Sequence, residues 1–230
     1  MSLRSTVAAL IAITAVSSPA AAQSAQRWSV QLSGIAVGVF GDAYQGLANG
    51  YGGELQVRLT PSLWSYGVGI QSSIHDLSEI AGQTVSLNGL FFEPRRVFDV
   101  GSAKYAPYLS ARFSYLEQSA DLTLQTGGAG QSILSANGFQ GNVGGGMLVK
   151  LTPRVNLDIG LTLGAIRFGD ATLTVDGQSA GSFTGTSGTG QNAVVRAGFA
   201  IGLGKGKAKP VAKPVAKPVA KPASGARPRR

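Results

Sequence analysis

Asn142-Val143-Gly144-Gly145-Gly146-Met147-Leu148-Val149-Lys150-Leu151-Thr152-Pro153-Arg154-Val155-Asn156-Leu157-Asp158-Ile159-Gly160-Leu161-Thr162-Leu163 decides the fold. Before the Thr-Pro step, Val143, Met147, Val149 and Leu151 recur at odd positions, opposed by Asn142, Gly144, Gly146 and Lys150. After it, Val155, Leu157, Ile159, Leu161 and Leu163 oppose Asn156, Asp158, Gly160 and Thr162. A period of two means strands whose side chains alternate between two faces. A face of Gly, Asn and Thr makes a poor soluble exterior. The apolar face is therefore predicted to meet lipid, and the polar face to line the inside of a closed barrel.

The same rhythm runs through Gly53 to Thr60, Trp64 to Gln71, Tyr105 to Tyr115 and Asn192 to Leu203. Two further segments, Trp28 to Phe40 and Thr84 to Phe98, change parity near Gly34 and Gly89, where a bulge would restore the face. Eight strands result. Their connections alternate in length: short at 59–63, 98–104 and 151–155, long at 41–51, 75–83, 119–138 and 169–190. That is the up-and-down pattern of an outer-membrane barrel, with tight turns on the periplasmic side and longer loops outside. An even strand number places both ends of the barrel segment in the periplasm. Trp64, Tyr66, Tyr105, Tyr108 and Tyr115 are assigned to interfacial girdles, and Leu122, Leu124, Val175 and Phe183 to strand pairs that extend two of the long loops.

The segment Asn142 to Pro153, then Leu157-Asp158-Ile159-Gly160 and a final strand Val194 to Gly204, resembles the small eight-stranded outer-membrane barrels of the OmpA/OmpX/OmpW type. The resemblance covers residues 28 to 204 and implies a monomeric all-β barrel with a filled lumen. The family's terminal aromatic at the chain end is absent, leaving Phe199 to carry an assembly signal.

Flanking segments differ in kind. Residues 1–22 place Arg4 before an apolar run, Val7 to Val16, and end on Ala20-Ala21-Ala22, as an export signal does. No later run is long enough for a transmembrane helix, and with no cysteine the exported domain relies on ladders rather than disulfides. The 230 residues hold 20 Lys and Arg against 11 Asp and Glu. All of the +9 surplus lies in 205–230, in Lys205, Lys207, Lys209, Lys213, Lys217, Lys221, Arg227, Arg229 and Arg230. Lys-Pro-Val-Ala repeats there deny helix and sheet, since each proline fixes φ and lacks a donor. An extended polyproline chain of about 26 residues reaches up to ~80 Å, far enough to carry cations to an anionic polymer such as peptidoglycan. Three parts follow: signal 1–22, barrel 23–204 and a disordered basic tail 205–230.

The polar faces carry Glu54, Arg58, Arg112, Lys150, Asp158 and Arg196 inside a bore just wide enough for side chains. Such charges must pair, which predicts a structural salt-bridge network closing the bore; a narrow solute pore is the alternative. Glycine and serine on the same faces would leave room for water. His75, beside Asp76 and near Ser72, Ser73, Ser78 and Glu79, is read as a solvated loop histidine rather than the base of a lipid A-deacylating serine enzyme, since neighbours on a strand face opposite ways. One histidine and no cysteine predict no metal site, and the glycine-rich runs 127–130 and 185–190 lack the Lys-Ser/Thr of a phosphate loop. No catalytic residue and no cofactor are expected. The expected role is structural or surface-interacting in the envelope of a Gram-negative-type bacterium, in contact with outer-membrane lipid and lipopolysaccharide, with peptidoglycan through the tail, and without nucleic acid.

Overall fold

The computed structural model describes residues 27–41, 44, 46–78, 82–122, 131–183 and 187–204. The signal segment, the basic tail, Glu79, Leu124 and the glycine run 127–130 lie outside the described residues.

Ten strands run in chain order: β1 (Trp28–Phe40), β2 (Gly50–Leu59), β3 (Trp64–Asp76), β4 (Thr84–Val97), β5 (Tyr105–Asp121), β6 (Ser132–Lys150), β7 (Val155–Phe168), β8 (Ala171–Val175), β9 (Gln178–Phe183) and β10 (Thr189–Leu203). Eight of them, β1 to β7 and β10, close a ring through antiparallel neighbours, because β5 pairs with β6 and β1 with β10. Trp28 faces both Leu203 and Leu59, which puts the two ends of the barrel segment on the side of the short turns. A closed ring leaves no open edge among these eight strands.

Local chemistry fixes the turns. At 151–154 the Thr152 hydroxyl accepts from the Arg154 and Val155 amides at 3.2 and 3.0 Å, and at the 98–104 turn Ser102 does the same for Lys104 and Tyr105. Such side-chain bonds stand in for the missing ladder. On the opposite side β8 and β9 form a hairpin whose Asp176-Gly177 loop has φ of 49° and 78°, the mirror-image turn that suits strand twist. β8 pairs with the start of β6, extending the sheet beyond the barrel wall, with Val175 and Phe183 at the hairpin's two ends.

The apolar faces are outside. Phe139, Val143 and Leu32 are 74, 67 and 64% exposed. Trp64 stacks on Tyr66 with Arg96 over its ring, and Lys104 lies by Tyr105, all near the short-turn end. Tyr115 and Phe139 meet toward the other. This is the aromatic and cationic edging of a membrane belt. No helix among the described residues is long and apolar enough to cross a membrane.

Three expectations are corrected. β1 and β4 keep one parity throughout, and both pair without a bulge at Gly34 or Gly89. The apparent parity change arises because Ile35, Val37, Val39, Val85 and Leu87 point into the barrel, where they are buried. Tyr108 also faces inward at 2% exposure, so it is no part of the girdle.

Candidate functional site

The lumen is layered. Toward the short turns, Val97, Ala106 and Tyr108 pack with Leu148. Toward the long loops, Ile35, Val37, Val39, Leu87, Leu116, Ile166, Phe168 and Val194 form an apolar layer that also takes in Tyr44 from the β1–β2 connection. Between them lies a charged belt.

Glu93 is the centre of that belt. Its carboxylate accepts from Arg95 Nε at 2.5 Å, from Arg112 Nη2 at 2.6 Å and Nε at 3.1 Å, and from Arg196 through both Nη atoms at 2.7 Å. Asp158 is a second node, taking Arg95 Nη1, Gln31 Nε2 and the Tyr108 hydroxyl, each at 2.6 Å. Glu54 receives Arg112 Nη1 at 2.6 Å and lies 3.7 Å from Arg196 Nη1. The side chains of all three acids have zero exposure. Planar guanidiniums suit this role because each presents donors in a fixed fork to more than one carboxylate.

Of the residues singled out from the sequence, the structure brings Glu54, Arg112, Asp158 and Arg196 together. Arg58 is buried beside them, yet its partners are neutral: Gln56 Oε1 at 2.7 Å, the Ser65 hydroxyl at 3.2 Å, and the carbonyls of Ser65 and Glu93. Lys150 stands apart at the rim, half-buried on the inner side of β6 and without an ion pair to the belt among the described residues. The nine tail cations lie outside the described residues.

Glu93 and Arg95 are the members that the sequence reading missed. Two apart on one strand, they share a face, and a Glu-x-Arg pair inside a membrane-crossing strand has only the lumen to enter. The assumption that apolar means outward hid them, since it placed a parity change just before them. Inner glycines leave room for large partners rather than for water alone: a Cβ on Gly160 would sit 2.6 Å from the Tyr108 hydroxyl and 2.9 Å from Arg196 Nε.

His75 is not a solvated loop residue. It points inward with zero exposure, while Asp76 points out. Its Nδ1 lies 3.0 Å from the Ala48 carbonyl, which can only accept, so Nδ1 carries the proton and Nε2 accepts from the Ser73 hydroxyl at 3.1 Å. Ser73 is itself buried at 2%, and Ser72 faces out. The imidazole thereby ties the β1–β2 connection down over the apolar layer, helped by the Ala48 amide on the Asp76 carbonyl and the Ser78 amide on that of Gly46. Tyr44 meets Phe168 edge-on at 6.0 Å beneath it. Among the described residues no group of three His, Cys, Asp or Glu is placed to hold a metal ion.

No protein-family model matches the sequence, and no curated protein does. The structure is similar to the crystal structure of neisserial surface protein A, with a TM-score of 0.54 at 20% identity over 76% of this chain and 97% of that one. This chain has the fold of the small eight-stranded outer-membrane barrels. Weaker likenesses link it to the N-terminal β-barrel domain of Pseudomonas aeruginosa OprF (TM-score 0.41, 15% identity, 76% of this chain and 98% of that one) and to Ail, the attachment invasion locus protein of Yersinia pestis (0.45, 13%, 76% and 99%). At these identities the likeness is one of fold.

Proposed function

We propose that this chain is a sealed outer-membrane barrel of a Gram-negative-type envelope, which acts through its two ends rather than through its bore. The observation that supports it is the pairing of Glu93 on β4 with Arg196 on β10 across the lumen, roofed by an apolar layer. A lumen so filled serves register and stability, and leaves recognition to the outer loops, where exposed segments sit on a rigid scaffold. Export by residues 1–22 and a monomeric state belong to the same reading.

The basic tail is the periplasmic contact. Nine cations without an acidic residue, spaced along a proline-rich sequence, offer a row of charge for peptidoglycan carboxylates, with a strength that falls as salt rises. The test compares the full-length protein with one lacking Lys205 to Arg230, each sedimented with purified peptidoglycan at low and moderate salt. Salt-sensitive co-sedimentation of the full-length protein alone is expected. Equal sedimentation at every salt concentration would make the tail a passive extension.

A further inference from the structure

Four buried guanidiniums, those of Arg58, Arg95, Arg112 and Arg196, share the lumen with three buried carboxylates, those of Glu54, Glu93 and Asp158. The described interior therefore holds one positive charge more than it neutralises. Arginine does not shed its proton at neutral pH, and an uncompensated buried charge costs several kcal/mol. The surplus has an address. Arg58 touches only neutral groups, and Arg95, with Nε on Glu93 and Nη1 on Asp158, has a buried Nη2 with no hydrogen-bond partner among the described residues.

Arg58 and Arg95 line the same cavity, of about 30 Å³, together with Ser29, Gln31, Ser65 and Asn156. It lies toward the short-turn end of the barrel, beside Thr60 and Val97. One water-sized species needs about 10–15 Å³ of occupied volume, so the cavity has room for a small anion with water beside it. Water would satisfy hydrogen bonds there but not the charge.

We propose that this cavity binds one small inorganic anion of the halide class between the Arg58 and Arg95 guanidiniums, with the Ser29 and Ser65 hydroxyls as further donors. Gln31 Oε1 and Asn156 Oδ1, unpartnered acceptors of two other lining residues, call for a water beside the anion rather than for a second ion. The anion brings the interior charge to zero and supplies the partner that Arg95 Nη2 lacks. Because it binds only the folded barrel, its concentration adds to stability.

The test uses crystals of the full-length protein in sodium bromide, with data collected at the bromine absorption edge. An anomalous peak in contact with both Arg58 and Arg95 is expected; water density without an anomalous signal at that place would overturn the proposal. In parallel, thermal unfolding in detergent is compared in sodium chloride and in sodium gluconate, whose anion is too large to enter, at equal ionic strength. The wild type is expected to melt higher in chloride, and Arg58→Gln to lose that difference. Should Arg58→Gln fail to fold, Ala200→Val, which adds methyl groups to the cavity wall, is expected to lose it too. A chloride advantage kept in the variants that fold, or absent from the wild type, would contradict the site.

Discussion

Arg196 and Glu93 form a two-pronged pair across the full diameter of the barrel, Nη1 to Oε2 and Nη2 to Oε1 both at 2.7 Å. Their strands, β10 and β4, stand four strands apart whichever way the ring is followed. A single carboxylate thus ties opposite walls together, with Arg95 and Arg112 filling the space on either side.

The carboxylate is the member whose loss is felt most, because three guanidiniums depend on it. Glu93→Gln keeps the shape and removes the charge, and breaking a buried ion pair from one side costs about 3–5 kcal/mol. The urea midpoint for unfolding from lipid vesicles is expected to fall accordingly. Glu117→Gln, on the exposed face of β5, is expected to leave it unchanged. Equal midpoints for the two variants would show that the belt contributes little.

Close approach over Gly160 gives a second check. A methyl there meets the Tyr108 hydroxyl and Arg196 Nε, and overpacking of this kind costs typically about 1–3 kcal/mol. On a heated, semi-native gel, the folded band of Gly160→Ala is expected to disappear at a lower temperature than that of the wild type. Gly141→Ala, whose new methyl meets nothing within 4 Å, is the control, and identical behaviour of the two would count against the packing described.

Much of this was legible in the sequence, and most of the failures share one cause. Six strands read correctly because Leu55, Tyr66, Phe113, Met147, Ile159 and Phe199 face outward and their neighbours are polar or small. β1 and β4 misled because Ile35, Val37, Val39, Val85 and Leu87 obey the opposite rule. They are apolar and inside, since a lumen capped by its own loop can bury a hydrophobic layer as a soluble core does. The same inversion hid Glu93 and Arg95, and made His75, next to a loop in sequence, look solvated when its ring turns under that loop. Partner choice was beyond a single-sequence reading: nothing in Arg58 itself says that it will find only neutral acceptors.

Tyr44 reports on the cap. Burial pushes its phenol up from 10 to about 12, with the hydrogen bond to Asn192 pulling the other way. A raised value means that the fold favours the neutral phenol, so its stabilisation is complete below pH 10 and is lost as pH rises through about 12. The difference in phenolate absorbance between the wild type and Tyr44→Phe is expected to titrate near 12. A difference centred near 10, the ordinary value, would mean that the phenol is not held inside the barrel.

The sealed bore is the claim on which the rest depends, and single-channel recording of the full-length protein in planar lipid bilayers tests it most directly. If the Glu93 belt and the apolar layer seal the bore as proposed, the wild type gives no stepwise ion current. Reproducible conductance steps in the wild type that change size in Arg112→Ala or Arg196→Ala would place ion flow through the belt and contradict the account.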